Sequence, residues 1–110
     1  MNCLFCKIMA GEIPCSKVYE DEKVFAFRDI NPQAPVHVLL VPKKHMSNIL
    51  ECDGETAAAL VNAIGKVAEM EGVDKDGFRI VSNCGENGCQ SVGHLHIHLL
   101  GGEKLTEKMA

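Results

Sequence analysis

The sequence predicts an α+β domain: a five-stranded antiparallel sheet with one long and one short helix. Three observations carry this prediction. Strand-like stretches pair across a tight break, as Lys17–Glu20 and Val24–Asp29 do around Asp21-Glu22. One nearly continuous apolar run, His37-Val38-Leu39-Leu40-Val41, suits a central strand covered on both faces. A single long stretch repeats apolar residues with helical spacing, at Leu60, Val61, Ile64, Val67 and Ala68. Strands grouped in hairpins around one long helix give an antiparallel sheet of the α+β class.

Taken in order, Leu4, Phe5, Ile8 and Met9 form a short helical stripe over residues 3–10, ended by Gly11. Pro14 commits the chain to an extended course into the first hairpin. Asn31-Pro32 and Ala34-Pro35 impose a rigid loop, because each proline fixes its own φ and biases its predecessor away from helix. Pro42 closes the third strand. Asp53 is placed as N-cap of the long helix, with Glu55 beside the positive end of the dipole and Gly72 at C′. That helix reads as a packing element without chemistry of its own. Residues 77–83 form the fourth strand and 94–100 the fifth, stopped by Gly101-Gly102. There are no repeats, linkers or low-complexity tracts, so residues 1–110 are taken as one domain.

The composition is that of an ordinary globular chain, 46% hydrophobic and 24% charged. The net charge of −4 provides no broad basic field, which argues against a nucleic-acid partner and leaves phosphate recognition to local neutral donors. No apolar run approaches the roughly 18 residues of a membrane span, and the start of the chain does not read as a signal peptide. The expectation is a cytoplasmic protein without membrane contact. Its six cysteines are then expected as thiols rather than disulfides.

The chemistry concentrates at Gln90-Ser91-Val92-Gly93-His94-Leu95-His96-Ile97-His98-Leu99-Leu100-Gly101-Gly102. Three histidines alternate with Leu95, Ile97 and Leu99, the period of a strand with an apolar face and an imidazole face. Gln and Ser enter from a loop, which suits an anion. A polar strand surface or a metal site of the H-x-H kind would show the same alternation. Neutral imidazole keeps a lone pair at pH 7 and can attack phosphorus, provided its other nitrogen holds the proton against an acceptor.

This stretch resembles the signature of the histidine triad family of nucleotide hydrolases and transferases. Its Gln-Ser opening and Leu-Gly-Gly close are similar to the Hint-type branch of nucleoside phosphoramidases. Phe5-Cys6-Lys7-Ile8, Glu12-Ile13-Pro14, Phe27-Arg28-Asp29-Ile30, Pro32-Gln33-Ala34-Pro35-Val36-His37, Pro42-Lys43-Lys44-His45 and Asn83 fall in the same order and spacing, so that only about the last eight residues are left out. The resemblance implies a homodimer in which two five-stranded sheets join into one of ten strands. It implies a purine nucleoside phosphoramidase acting on adenosine or guanosine phosphoramidates through a covalent histidyl-nucleotide, with no metal needed for catalysis. His96 would be the nucleophile, His98 would contact the transferred phosphate, and His37 would anchor His96 through a relay. Asn83, Gln90 and Ser91 would donate to the phosphate, and Ser91 would assist the leaving group. Asp29, otherwise a turn-capping residue, would accept from the ribose hydroxyls. Phe5, Ile8, Phe27 and Ile30 would line the base slot, although core packing explains them nearly as well. A dinucleoside polyphosphate hydrolase and a non-catalytic nucleotide- or zinc-binding interaction protein are the alternatives.

Cys3-x-x-Cys6 fits a zinc half-site or a redox pair, and alone it is weak. His45 and His94 are the candidates to complete it, since the resemblance extends to bacterial relatives whose structural zinc is held by two Cys and two His at these positions. Such a site would be closed and distinct from the catalytic histidines; otherwise the thiols are small buried hydrophobes. Two departures stand out. Cys89 occupies a position where glycine is usual, which predicts a loop less able to adopt positive φ. The tail Glu103 to Ala110 lacks a tryptophan-bearing end, so substrate preference is not carried over.

Overall fold

The computed structural model describes residues 3–108, so both ends of the domain expected over 1–110 lie outside the described residues. The element order is α1 (Leu4–Met9), β1 (Lys17–Glu20), β2 (Val24–Arg28), β3 (Val36–Pro42), α2 (Gly54–Met70), β4 (Phe78–Val81) and β5 (Ile97–Gly101), with a 3₁₀ turn at Ile49–Glu51 that the sequence pattern did not foretell. The five strands form one sheet in the order β1-β2-β3-β5-β4, antiparallel throughout.

Each helix forms for local reasons. Asp53 caps α2 by accepting from the Thr56 backbone N–H at 2.7 Å. The helix buries Thr56, Leu60, Ala63, Ile64, Val67 and Ala68, one stripe at 3.6-residue period. Val61 was expected on that face and is 66% exposed, because it lies about 100° around the helix from Leu60. Glu71 ends α2, and its carboxylate takes both Arg28 guanidinium nitrogens, tying the helix to the end of β2.

The sheet separates two apolar layers. Against α2 lie Val24, Ala26, Val38, Leu40, Leu95, Ile97 and Leu99. On the other face Phe5 and Ile8 of α1 pack with Phe25, Phe27, Leu39 and Val41. Strict alternation along β3 therefore sends Val38 and Leu40 one way and His37, Leu39 and Val41 the other. Central placement buries both sets, as the apolar run predicted.

β5 is shorter than the pattern suggested. His94, Leu95 and His96 precede the regular ladder, whose last β3 pair is Leu40 with Ile97. The ladder stops where Pro42 approaches: proline has no N–H to give, and its carbonyl is taken by the His94 ring. β4 likewise ends at Val81 rather than Asn83, and the Ser82 hydroxyl continues the link by donating to the His96 carbonyl at 3.2 Å.

Candidate active site and metal tetrad

The imidazoles gather on the α1 face of the sheet. Register puts Leu39 opposite His98 and His37 opposite Leu100, so His37 and His98 are diagonal neighbours on one face. The His37 and His98 rings meet at 2.9 Å between Nε2 and Nδ1.

Proton positions follow from the fixed partners. The Gln33 backbone N–H donates to His37 Nδ1 at 3.0 Å, so that nitrogen is an acceptor. The His37 proton therefore sits on Nε2, where it reaches His98 Nδ1 and stands 3.4 Å from Asp29 Oδ2. His98 then accepts at Nδ1 and carries its own proton on Nε2. Burial lowers His98 to about 4, with His96 and His37 adding to the effect and Asp29 opposing it. Burial also lowers His37, again against Asp29. Both rings are thus neutral at pH 7, with one defined proton each.

His96 is oriented separately. Its Nδ1 lies 2.8 Å from the His94 carbonyl, which can only accept, so Nδ1 holds the proton and Nε2 keeps the lone pair. The ring is only 3% exposed. It packs edge-on to Phe5 at 5.0 Å and to His98 at 5.1 Å between ring centres. His37 meets His98 directly, and His98 in turn packs against His96, so the three rings form one row on this face.

The loop before the histidines is tightly braced. The Asn83 amide donates to the Gly88 carbonyl at 2.7 Å. The Gln90 amide nitrogen donates to the Ser47 and Val92 carbonyls, and its oxygen accepts from the Gly85 N–H. A Cβ at Gly88 would stand 2.5 Å from the Cys84 carbonyl oxygen, so no other residue fits there. Cys89 does adopt positive φ, at 60°, contrary to the expectation that it would resist it. The loop closes around it through Cys89 N–H to Glu86 and Gln90 N–H to Gly85, and these bonds hold the strained residue in place. Ser91 is exposed.

A second cluster lies beside the first. One ligand atom from each of Cys3, Cys6, His45 and His94 falls within 4.8 Å of the others. Cys3 Sγ is 3.3 Å and Cys6 Sγ 3.6 Å from His94 Nδ1, while Cys6 Sγ is 3.4 Å from His45 Nδ1. Tetrahedral zinc with bonds of about 2.3 Å to sulfur and about 2.0 Å to nitrogen requires S···N edges of roughly 3.5 Å. His94 Nε2 donates to the Pro42 carbonyl at 2.9 Å, which leaves its Nδ1 lone pair facing the two thiols. Burial and the adjacent Cys3 raise the Cys6 thiol. These residues fit a closed Cys₂His₂ site.

The HIT domain family model matches residues 10–105. This chain belongs to the HIT family. A HIT family hydrolase of known structure from Clostridium thermocellum superposes with a TM-score of 0.94 at 46% identity, over 99% of this chain and 97% of that one. The purine nucleoside phosphoramidase of Escherichia coli is 42% identical, over 97% of this chain and 92% of its own length. A 14 kDa zinc-binding protein of Zea mays is 49% identical, over 94% of this chain and 84% of its own. The chain is a HIT family protein of the hydrolase kind, with the five-stranded antiparallel sheet and two helices of that fold.

In this HIT chain His37, His96, His98 and Asp29 converge as a group, and Phe5 reaches them from α1. Phe5, Ile8 and Phe27 are buried together, whereas Ile30 stands apart at 91% exposure on the turn after β2. Asp29 holds its turn as well, accepting from the Asn31 N–H at 2.8 Å through Oδ1. Sequence reasoning missed three main-chain or distant partners: the Gln33 N–H, the Ser47 carbonyl and the His94 carbonyl. None carries a side-chain signal, because any residue type supplies the same peptide group.

Proposed function

We propose that this protein is a purine nucleoside phosphoramidase that works through a histidyl-nucleotide intermediate. The observation that carries the reading is the tautomer of His96, with Nδ1–H held by the His94 carbonyl and Nε2 bearing the lone pair. In the first step Nε2 attacks the phosphorus, a P–N bond to Nε2 forms, and the P–N bond to the amine breaks. Ser91 is proposed to pass a proton to the leaving amine. Water then attacks the same phosphorus and returns a proton to Ser91, the P–N bond to Nε2 breaks, and the nucleoside monophosphate leaves with the imidazole restored. His98, protonated on Nε2, is the donor proposed for the phosphoryl oxygens. Asn83 and Gln90, braced within the loop, are proposed to hold the remaining oxygens once substrate displaces part of that bracing. Phe5, Ile8, Phe27 and Ile30 are proposed for the base, and Asp29 for the ribose hydroxyls.

The tetrad of Cys3, Cys6, His45 and His94 is proposed to bind one structural zinc, which supplies cross-linking rather than reaction chemistry. The likeness to the zinc-binding protein of Zea mays supports this. A homodimer is proposed across β4, one of the two edge strands of the sheet, which exposes Phe78 and Ile80.

The test offers the purified protein adenosine and guanosine 5′-phosphoramidates beside a dinucleoside polyphosphate. Release of amine and monophosphate, with a nucleotidyl adduct on His96 found by mass spectrometry, is the expected result. His96→Gly should lower turnover by more than about a thousandfold while retaining nucleotide binding. Faster cleavage of the dinucleoside polyphosphate, or turnover surviving in His96→Gly, overturns the assignment.

A further inference from the structure

We infer that His94 is a positioning residue through which the metal tetrad sets the geometry of His96; the catalytic side of this inference rests on His96 being the nucleophile. One residue belongs to both clusters. The His94 side chain faces Cys3 and Cys6 through Nδ1, and its own carbonyl accepts from His96 Nδ1. The ring is fully buried, with Nε2 fixed on Pro42. A two-torsion side chain held at both nitrogens leaves its peptide little freedom, and that peptide ends at the carbonyl in question.

The opposite end of the tetrad reaches His96 too. α1 is a six-residue helix, too short to be stable by itself. Its cysteines sit at the N-cap and within the first turn, and Phe5 between them packs edge-on to both His94 at 5.9 Å and His96 at 5.0 Å. Tying Cys3 and Cys6 to His94 therefore fixes the ring that flanks the nucleophile as well as the acceptor that orients it. The His37–His98 pair does not substitute, because it makes no hydrogen bond to His96. When the tetrad is open, His94 and Phe5 gain freedom together. The His96 proton then exchanges between nitrogens and with water.

The experiment follows the imidazole N–H protons by nitrogen-15 NMR, on full-length chain loaded with zinc, stripped of it, or loaded with cadmium. The His96 Nδ1–H signal is identified by its loss in His96→Gln, and the His37 Nε2–H signal is the internal control. With zinc the His96 proton should exchange slowly. Stripping should speed its exchange about tenfold or more. The larger cadmium ion keeps the chain cross-linked, and should move the His96 signal while leaving that of His37 in place, even if stripped protein unfolds. His45→Ala should behave as the stripped chain, and His45→Cys, which retains four ligands, should behave as wild type. In single-turnover assays the rate of His96 adduct formation per folded chain should fall by a similar factor, with a smaller change in KM. A chain that takes up no zinc, or a His96 signal indifferent to both stripping and cadmium, overturns the inference. Failure to form any adduct in zinc-loaded protein overturns the phosphoramidase reading instead, and the proton measurements still decide the coupling.

Discussion

At the scale of single residues the histidines set a pH dependence. His98 sits at about 4 in the folded chain, and an unfolded histidine at about 6.5, so between these values the unfolded chain binds more protons. The stability is therefore fully present above about pH 6.5 and is lost as the pH falls through the window to about 4. Burial lowers His37 and His94 in the same direction, which reinforces the slope. The urea midpoint should drop steadily from pH 7 to pH 4, and His98→Gln should flatten that slope; a midpoint constant across the window contradicts the assignment. Cys89 gives a second expectation. A side chain at φ 60° carries a penalty of about 1–2 kcal/mol that glycine escapes, partly offset by the greater freedom of glycine in the unfolded chain. Cys89→Gly should raise stability by up to about 1 kcal/mol, measured by equilibrium denaturation.

Among the elements, two substitutions should separate scaffold from site. Asp53→Ala removes the cap of α2 and should cost about 1 kcal/mol in stability with turnover per folded chain unchanged. Gly88→Ala should reach the site: its Cβ collides with the Cys84 carbonyl, so the loop bearing Asn83, Gln90 and Ser91 must shift and turnover per folded chain should fall about tenfold or more. Circular dichroism melts beside steady-state assays read both. The elements themselves were largely legible, because side-chain period and caps are written locally. Val24–Arg28, Val36–Pro42 and the α2 stripe lie within a residue or so of where pattern placed them. The start of β5 was not legible, since Pro42, more than fifty positions upstream, decides where its ladder ends. The face of Val61 was misread for a simpler reason: a neighbour at i+1 shares apolarity with Leu60 but not direction. Cys3 and Cys6 announced a half-site; the convergence of His45 and His94 on it depends on contacts across as many as 91 positions, which spacing alone does not encode.

For the molecule as a whole, the exposed edge at β4 predicts association. Sedimentation should give twice the mass of the 12.0 kDa chain at micromolar concentration, and Ile80→Lys should shift it to the monomer by placing charge on that edge. Nothing in the alternation of β4 specified a twofold partner, because an edge strand and a paired one share the same period. The sheet order has another consequence, for the time course of assembly. β1, β2 and β3 pair with near neighbours in the chain, whereas β3 and β5 meet across a long loop: His37 and His98 are 61 positions apart. Closing such a loop costs entropy before any contact repays it, so that junction should form after the hairpins. Pulsed hydrogen exchange during refolding should protect the amides of residues 24–28 and 36–41 ahead of those of Ile97–Gly101. The imidazole relay spans this late seam, so a nascent chain that has made its hairpins still lacks the His37–His98 pair until the final strand docks.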